Sequence, residues 1–181
     1  MPDDHIRDTS SEESLRMRQK YGVEEVEGKS MGVYGPLSGK GEPTFFKLRA
    51  QLLKEGRSIQ PLAETENLWT WIKVYATGGE NTLHAHTTED HMFVILDGEG
   101  SFYGPNGEKK VLKRNDGLML PAGTFYHFNS SGDEPLVLLR VGSRAAEGNI
   151  KKRMGIDGVE CQGGTDKNKF TAPTFSDKYY E

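Results

Sequence analysis

The sequence predicts an all-β protein built as an antiparallel barrel or sandwich. Three observations carry this reading. From about residue 58 to residue 143 the chain alternates with a period of two, in runs such as "LWTWIKVYA", "HMFVILDG", "GSFYGP", "GLMLPAG" and "PLVLLRVG". Such runs are the pattern of half-buried strands. Turn chemistry separates them: Gly78–Gly79, Asp97–Gly98, Pro105–Asn106–Gly107, Asn115–Asp116–Gly117 and Ser131–Gly132–Asp133, with Asn106–Gly107 the strongest hairpin signal. The runs recur at roughly 8–12-residue spacing with no helical stretch between them, which favours antiparallel strands over a parallel sheet.

Taken in order, residues 1–42 read as an N-terminal arm. Its first 20 residues are polar and charged, so partial disorder is expected. A short amphipathic helix over Glu12–Tyr21 is the available alternative, with Leu15 and Met17 or Met31 as weak anchors. Residues 43–57, "PTFFKLRAQLLKEGR", begin strand-like and then read as helix, with Leu48, Leu52 and Leu53 at helical spacing ahead of Gly56. Residues 58–143 hold the barrel. Residues 144–181 form a polar, irregular extension rich in Gly, Lys and Asp, yet it ends on "FTAPTFSDKYYE". Phe170, Phe175, Tyr179 and Tyr180 are therefore expected to pack against the barrel or a second subunit.

A chain of 181 residues with 34% hydrophobic content suits one domain with a real core plus polar extensions. The formal charge of -4 offers no field for nucleic acid or an anionic membrane. Lys109–Lys110 and the cluster from Lys151 to Arg153 read as solvated surface. The single cysteine, Cys161, precludes an intramolecular disulfide and fits a reducing compartment. The N-terminus opens with acids and shows no signal peptide, and no run approaches the ~18–20 apolar residues that span a bilayer. A cytoplasmic location is expected.

The chemistry concentrates in "TLHAHTTEDHMFVILDGEG", residues 82–100. On a strand, residues i and i+2 share a face, about 6–7 Å apart. His84 and His86 thus point the same way, and His91 opens the next strand on the face of Phe93 and Ile95. A turn through Thr87–Asp90 brings the two strands together, so three imidazoles can converge on one ion with positions left for water or substrate.

Gly78, then His84-x-His86, His91 and Gly98 resemble the first motif of the cupin superfamily, G-x5-H-x-H-x3–4-E-x6-G. "NDGLMLPAGTFYHFNS" resembles the second, G-x5-P-x-G-x2-H-x3-N, with Pro121 and Gly123 in place and Asn115 where the first Gly belongs. The resemblance covers the β-region and implies a jelly-roll barrel. His91 stands where the family has its ligand Glu. Glu89 and Asp90 lie just before it and would supply a carboxylate only in a different turn register. In the second motif the family histidine aligns with Tyr126, and His127 falls one residue late. Parity favours Tyr126 as the inward residue, while a bulge would exchange the two.

The resemblance implies one divalent transition metal per chain (Fe, Mn, Ni or Zn) on His84, His86 and His91. Tyr126 is the expected fourth ligand or general acid/base, with His127 as the alternative. Three neutral ligands would leave the ion its full +2 charge and draw an anionic or enolisable substrate: a small organic acid, diketone or aromatic acid. Dioxygenase chemistry is preferred to that of a lyase or isomerase. A non-catalytic cupin that binds or senses a small ligand is the alternative. By parity the pocket takes Phe93, Ile95 and Met119, and Arg140 either pairs with a substrate carboxylate or meets solvent or an acid across the sheet. Trp69, Trp71 and Tyr75 share one face, serving the core, a dimer or the substrate. "HMFVIL" is apolar on both faces, which points to a homodimer.

Overall fold

The computed structural model describes residues 44–143, 153–161, 169 and 171–181, and the backbone of 23–24 and 33–34. Glu12–Tyr21, the anchors Leu15, Met17 and Met31, and Phe170 lie outside the described residues. The chain divides into Met1–Thr44 and Phe45–Glu181. In the first unit, β1 (Val23–Glu24) pairs antiparallel with β2 (Val33–Tyr34).

The second unit carries β3 (Ala50–Glu55), β4 (Arg57–Glu64), β5 (Leu68–Tyr75), β6 (His84–His86), β7 (His91–Asp97), β8 (Glu99–Tyr103) and β9 (Lys109–Lys113). It continues with β10 (Gly117–Leu120), β11 (His127–Ser130), β12 (Leu136–Ser143), β13 (Arg153–Gly155) and β14 (Thr174–Tyr180). Among the described residues all these pairings are antiparallel. One sheet runs β10-β7-β12-β5-β4 and another β11-β8-β9, with β13-β6 and β14-β3 as two-stranded ribbons. The inner faces of the two larger sheets close on one core of Tyr75, Phe93, Ile95, Phe102, Phe128, Leu136 and Leu138. Phe128 lies 4.8 Å from both Tyr75 and Phe102, centroid to centroid. This is the all-β barrel that the period of two predicts.

The turn chemistry also appears where expected. β8 and β9 form a hairpin around Asn106–Gly107. Asn115, in place of the motif glycine, has φ of 72°. That left-handed conformation suits Gly best, and Asn tolerates it better than most residues.

The helix expected within 43–57 is absent: Ala50–Glu55 is a strand. Its backbone pairs with β14, and Leu53 drops into a second core with Ile72, Val74 and Val137. Leu52, Leu96 and Tyr180 pack against that core, whereas Phe175 and Tyr179 of the same C-terminal segment stay exposed. Pairing with a strand more than a hundred residues away overrides the local leucine spacing. No helix among the described residues is long and apolar enough to cross a membrane.

Candidate metal centre

All three residues of β6 are buried. Its backbone bonds Tyr126 on one side, His84 N donating to Tyr126 O at 3.1 Å and Tyr126 N to His84 O at 2.9 Å. On the other side β13 sets Arg153 opposite His86. The loop after β6 carries Glu89, only 3% exposed, and β7 begins at His91, only 1% exposed. The imidazole centroids of His86 and His91 are 4.2 Å apart, and those of His84 and His86 5.2 Å.

The compact donor set is His86, Glu89 and His91, with ligand atoms all within 4.8 Å of one another. Glu89 Oε2 lies 3.4 Å from His91 Nε2 and 3.8 Å from His86 Nδ1. Ligands ~2.0–2.2 Å from one tetrahedral ion stand about 3.4 Å apart, so little movement would close the set. His86 Nδ1 is buried with no hydrogen-bond partner among the described residues. Two imidazoles with one carboxylate form a recognised donor set for a divalent transition metal. The residues fit such an ion.

This differs from the three-histidine expectation. Glu89 and His91 are not alternatives for one position; both turn inward. Parity governs strands, and Glu89 sits in the loop, free of it. Glu89 also supplies a negative charge that the three-histidine reading lacked. His84 lies outside the compact set. Its Nδ1 donates to Thr82 O at 2.7 Å, leaving Nε2 the basic nitrogen. Burial holds the ring neutral, with its pKa pulled down to about 3. Burial and the Arg140 cation drive the His86 imidazole further in the same direction. Asp90 is turned away, accepting from Ala122 N at 2.8 Å.

Arg140 is the unexpected occupant. On β12 it stands between Phe93 of β7 and Trp71 of β5, on the inner face. Its Nη2 lies 3.1 Å from His86 Nε2 and 3.0 Å from His91 Nδ1. The guanidinium is 5.0 Å from the Trp69 ring and 5.6 Å from that of Phe93. It is only 7% exposed, so it does not meet solvent.

Tyr126 faces inward, 5% exposed and 4.6 Å from the His84 ring. Burial raises its hydroxyl above the ordinary phenol value. His127 stacks instead on Tyr103, at 4.6 Å and 7°. Phe93 and Ile95 are wholly buried in the core and do not line the cavity. Met119 is 62% exposed, because Leu118 and Leu120 on either side of it take the inward positions of β10. Both corrections have one cause: matching parity puts a residue on the inner face without saying whether core or cavity lies there.

A cavity of about 530 Å³ opens beside the centre, lined in part by His84, His86, Tyr126 and Arg140. Arg57, Lys73 and Arg153 also line it. Neither Arg57 nor Lys73 stands out in the sequence, and Arg153 belongs to a cluster expected at the surface. For Lys73 a signal existed, since it shares parity with Trp69, Trp71 and Tyr75 in "LWTWIKVY".

The cupin domain family model matches residues 71–142. An uncharacterized protein of Aquifex aeolicus is 33% identical over 124 residues, 68% of this chain and 98% of that protein. A gentisate 1,2-dioxygenase of Ralstonia sp. is 26% identical over 90 residues, 50% of this chain and 25% of the enzyme. A solved Klebsiella pneumoniae protein with a double-stranded β-helix domain aligns with a TM-score of 0.47 at 22% identity, covering 51% of this chain and 76% of that one.

Proposed function

The chain belongs to the cupin superfamily, and from that premise we propose that it is a metal-dependent enzyme acting on a small organic acid, diketone or aromatic acid. Dioxygenase chemistry stands ahead of lyase or isomerase chemistry. The observation that carries the proposal is the buried Nδ1 of His86, without a hydrogen-bond partner among the described residues, beside Glu89 and His91. The partial likeness to gentisate 1,2-dioxygenase and the two-imidazole, one-carboxylate donor set favour the oxygenase.

His86, Glu89 and His91 would hold one divalent ion, of iron, manganese, nickel or zinc. When bound, the ion supplies Lewis acidity toward a carboxylate or carbonyl and, as iron, redox chemistry. Glu89 offsets one of its two charges. Trp69 and Phe93 keep water from one side of Arg140, which strengthens its electrostatic reach. Tyr126, held protonated by burial, is placed to donate a hydrogen bond to a substrate oxygen in the cavity.

A second reading, a non-catalytic module that binds a small ligand, is favoured by one contact. Arg140 donates to the same imidazoles that would hold the ion. The test is elemental analysis of tag-free protein beside His86→Ala, Glu89→Gln and the His84→Ala/His86→Ala double variant. About one equivalent of metal in the wild type, lost in His86→Ala and Glu89→Gln, supports the enzyme. No metal even after reconstitution overturns it and leaves the binding module. The proposal includes a homodimer and a cytoplasmic location. Sedimentation as a 20.2 kDa monomer at micromolar concentration overturns the former.

A further inference from the structure

We propose that Lys73 is a covalent capture site, its amine forming an imine with the carbonyl carbon of a small aldehyde or ketone in the cavity. The inference goes beyond the metal reading, and stands with or without an ion at His86, Glu89 and His91.

The fold puts this amine where a solvated lysine would not be. Antiparallel register sets Ile59 of β4 opposite Lys73 and Arg57 opposite Tyr75, while β12 sets Leu138 on the other side of Lys73. Lys73 alternates inward with Trp71 and Tyr75, and all three line the cavity. It is only 5% exposed. The amine lies 4.9 Å from the Tyr75 ring, and among the described residues no hydrogen bond or ion pair ties it down. No carboxylate is among the described residues that line the cavity. Tyr75 supplies no counter-charge either, since burial raises its hydroxyl and keeps it protonated.

A buried ammonium without a counter-charge is costly, and the group relieves that cost by giving up its proton. Burial first, and then Arg140 of β12, Arg57 of β4 and Arg153 of β13, hold Lys73 well below the ordinary lysine value. A desolvated amine beside other cations is a nucleophile near neutral pH. An arginine could fill much the same space, but it would never lose its proton.

The chemistry closes without a further reactant. The Nζ lone pair attacks the carbonyl carbon, and the C=O π pair moves to the oxygen. The two N–H hydrogens leave with that oxygen as water, and a C=N bond remains. Nothing is oxidised or reduced. Trp71 lines the cavity and exposed Ile59 and Phe175 border it, which suits a short carbon chain behind the carbonyl.

The test is incubation of metal-free and metal-loaded protein with butanal, butan-2-one or 2-oxobutyrate at neutral pH. Sodium cyanoborohydride fixes any imine, and peptide mass mapping locates it. Lys109 and Lys110, exposed on β9, are the internal reference. We expect at least one probe to modify Lys73 about tenfold faster than either reference lysine or better, because only the neutral amine reacts. Folded Lys73→Arg should lose that adduct and keep those at Lys109 and Lys110. Capture of butanal or butan-2-one alone identifies an uncharged carbonyl compound, and capture of 2-oxobutyrate an oxo acid. Lys73 left unmodified by all three probes overturns the inference. So does modification no faster than that of the exposed lysines. If Lys73→Arg fails to fold, the wild-type map decides. A Lys73 adduct in a protein that never retains metal sinks the enzyme reading and keeps this one. A metal-loaded protein without the adduct does the reverse.

Discussion

Arg140 on β12 and His86 on β6, 54 residues apart in the chain, meet at 3.1 Å between Nη2 and Nε2. An arginine can only donate, so Nε2 must accept and the Nδ1 of neutral His86 must carry the proton. A metal at Nδ1 would reverse that tautomer, and a metal at Nε2 would take the arginine's place. Metal binding and this hydrogen bond therefore exclude one another. Arg140→Met, an apolar replacement among Trp69, Trp71 and Phe93, should tighten divalent metal binding by about tenfold or more, since it also removes a like charge a few ångströms away. Competition against a chromophoric chelator measures this. Weaker binding would show that Arg140 supports the site instead of competing for it.

Neighbouring carboxylates provide a second prediction. Glu89 stands inside the donor set, whereas Asp90 is tied to Ala122 N. Glu89→Gln should lower metal affinity beyond the ~10–100-fold typical of losing an outer partner of a metal ligand. Asp90→Asn keeps an acceptor oxygen for Ala122 and should leave metal affinity nearly unchanged. Equal losses in both variants would mean that the loop's fold matters, and not the Glu89 oxygen.

These two acids also show how much was legible in the sequence. The barrel was legible, because strand period and turn residues are local signals that the tertiary structure here confirms. His86 and His91 were legible for the same reason, lying within or at the start of strands. Glu89 was half legible: the loop that carries it obeys no period, so nothing in the spacing says that its carboxylate turns toward His86 and His91. Ala50–Glu55 was misread because a strand's partner can lie far away, and β14 follows the whole barrel. Arg57, Lys73 and Arg153 meet through register across three elements, which no window of sequence displays.

Lys73 makes stability depend on pH. Burial first, and then Arg140, Arg57 and Arg153, hold its folded-state pKa well below 10.5. Between that depressed value and 10.5 the unfolded chain binds a proton that the folded chain does not. Stability from this group therefore rises with pH across the window and is lost as pH falls through the folded value. Lys73→Met removes the effect. Urea midpoints in metal-free, anion-poor buffer should show wild type gaining on the variant as pH climbs toward 10.5, and no further gain above it. A difference constant with pH would mean that Lys73 is charged in the fold.

Gly142 supports the centre from behind. It pairs with His91 on one side and Trp69 on the other, and a Cβ added there would overlap the Trp69 six-membered ring. That ring lies 5.3 Å from His91 and 4.3 Å from Trp71. Gly142→Ala should therefore cost about 1–3 kcal/mol by overpacking and weaken metal binding through His91. The smaller ring of Trp69→Phe removes the atoms that the new methyl would meet. The Gly142→Ala/Trp69→Phe double variant should then be more stable than the sum of the two single losses, with a coupling of about 0.5 kcal/mol or more. Chemical denaturation of the four proteins closes the cycle. Strict additivity would place the strain elsewhere on β12 and remove Trp69 as the link between Gly142 and His91.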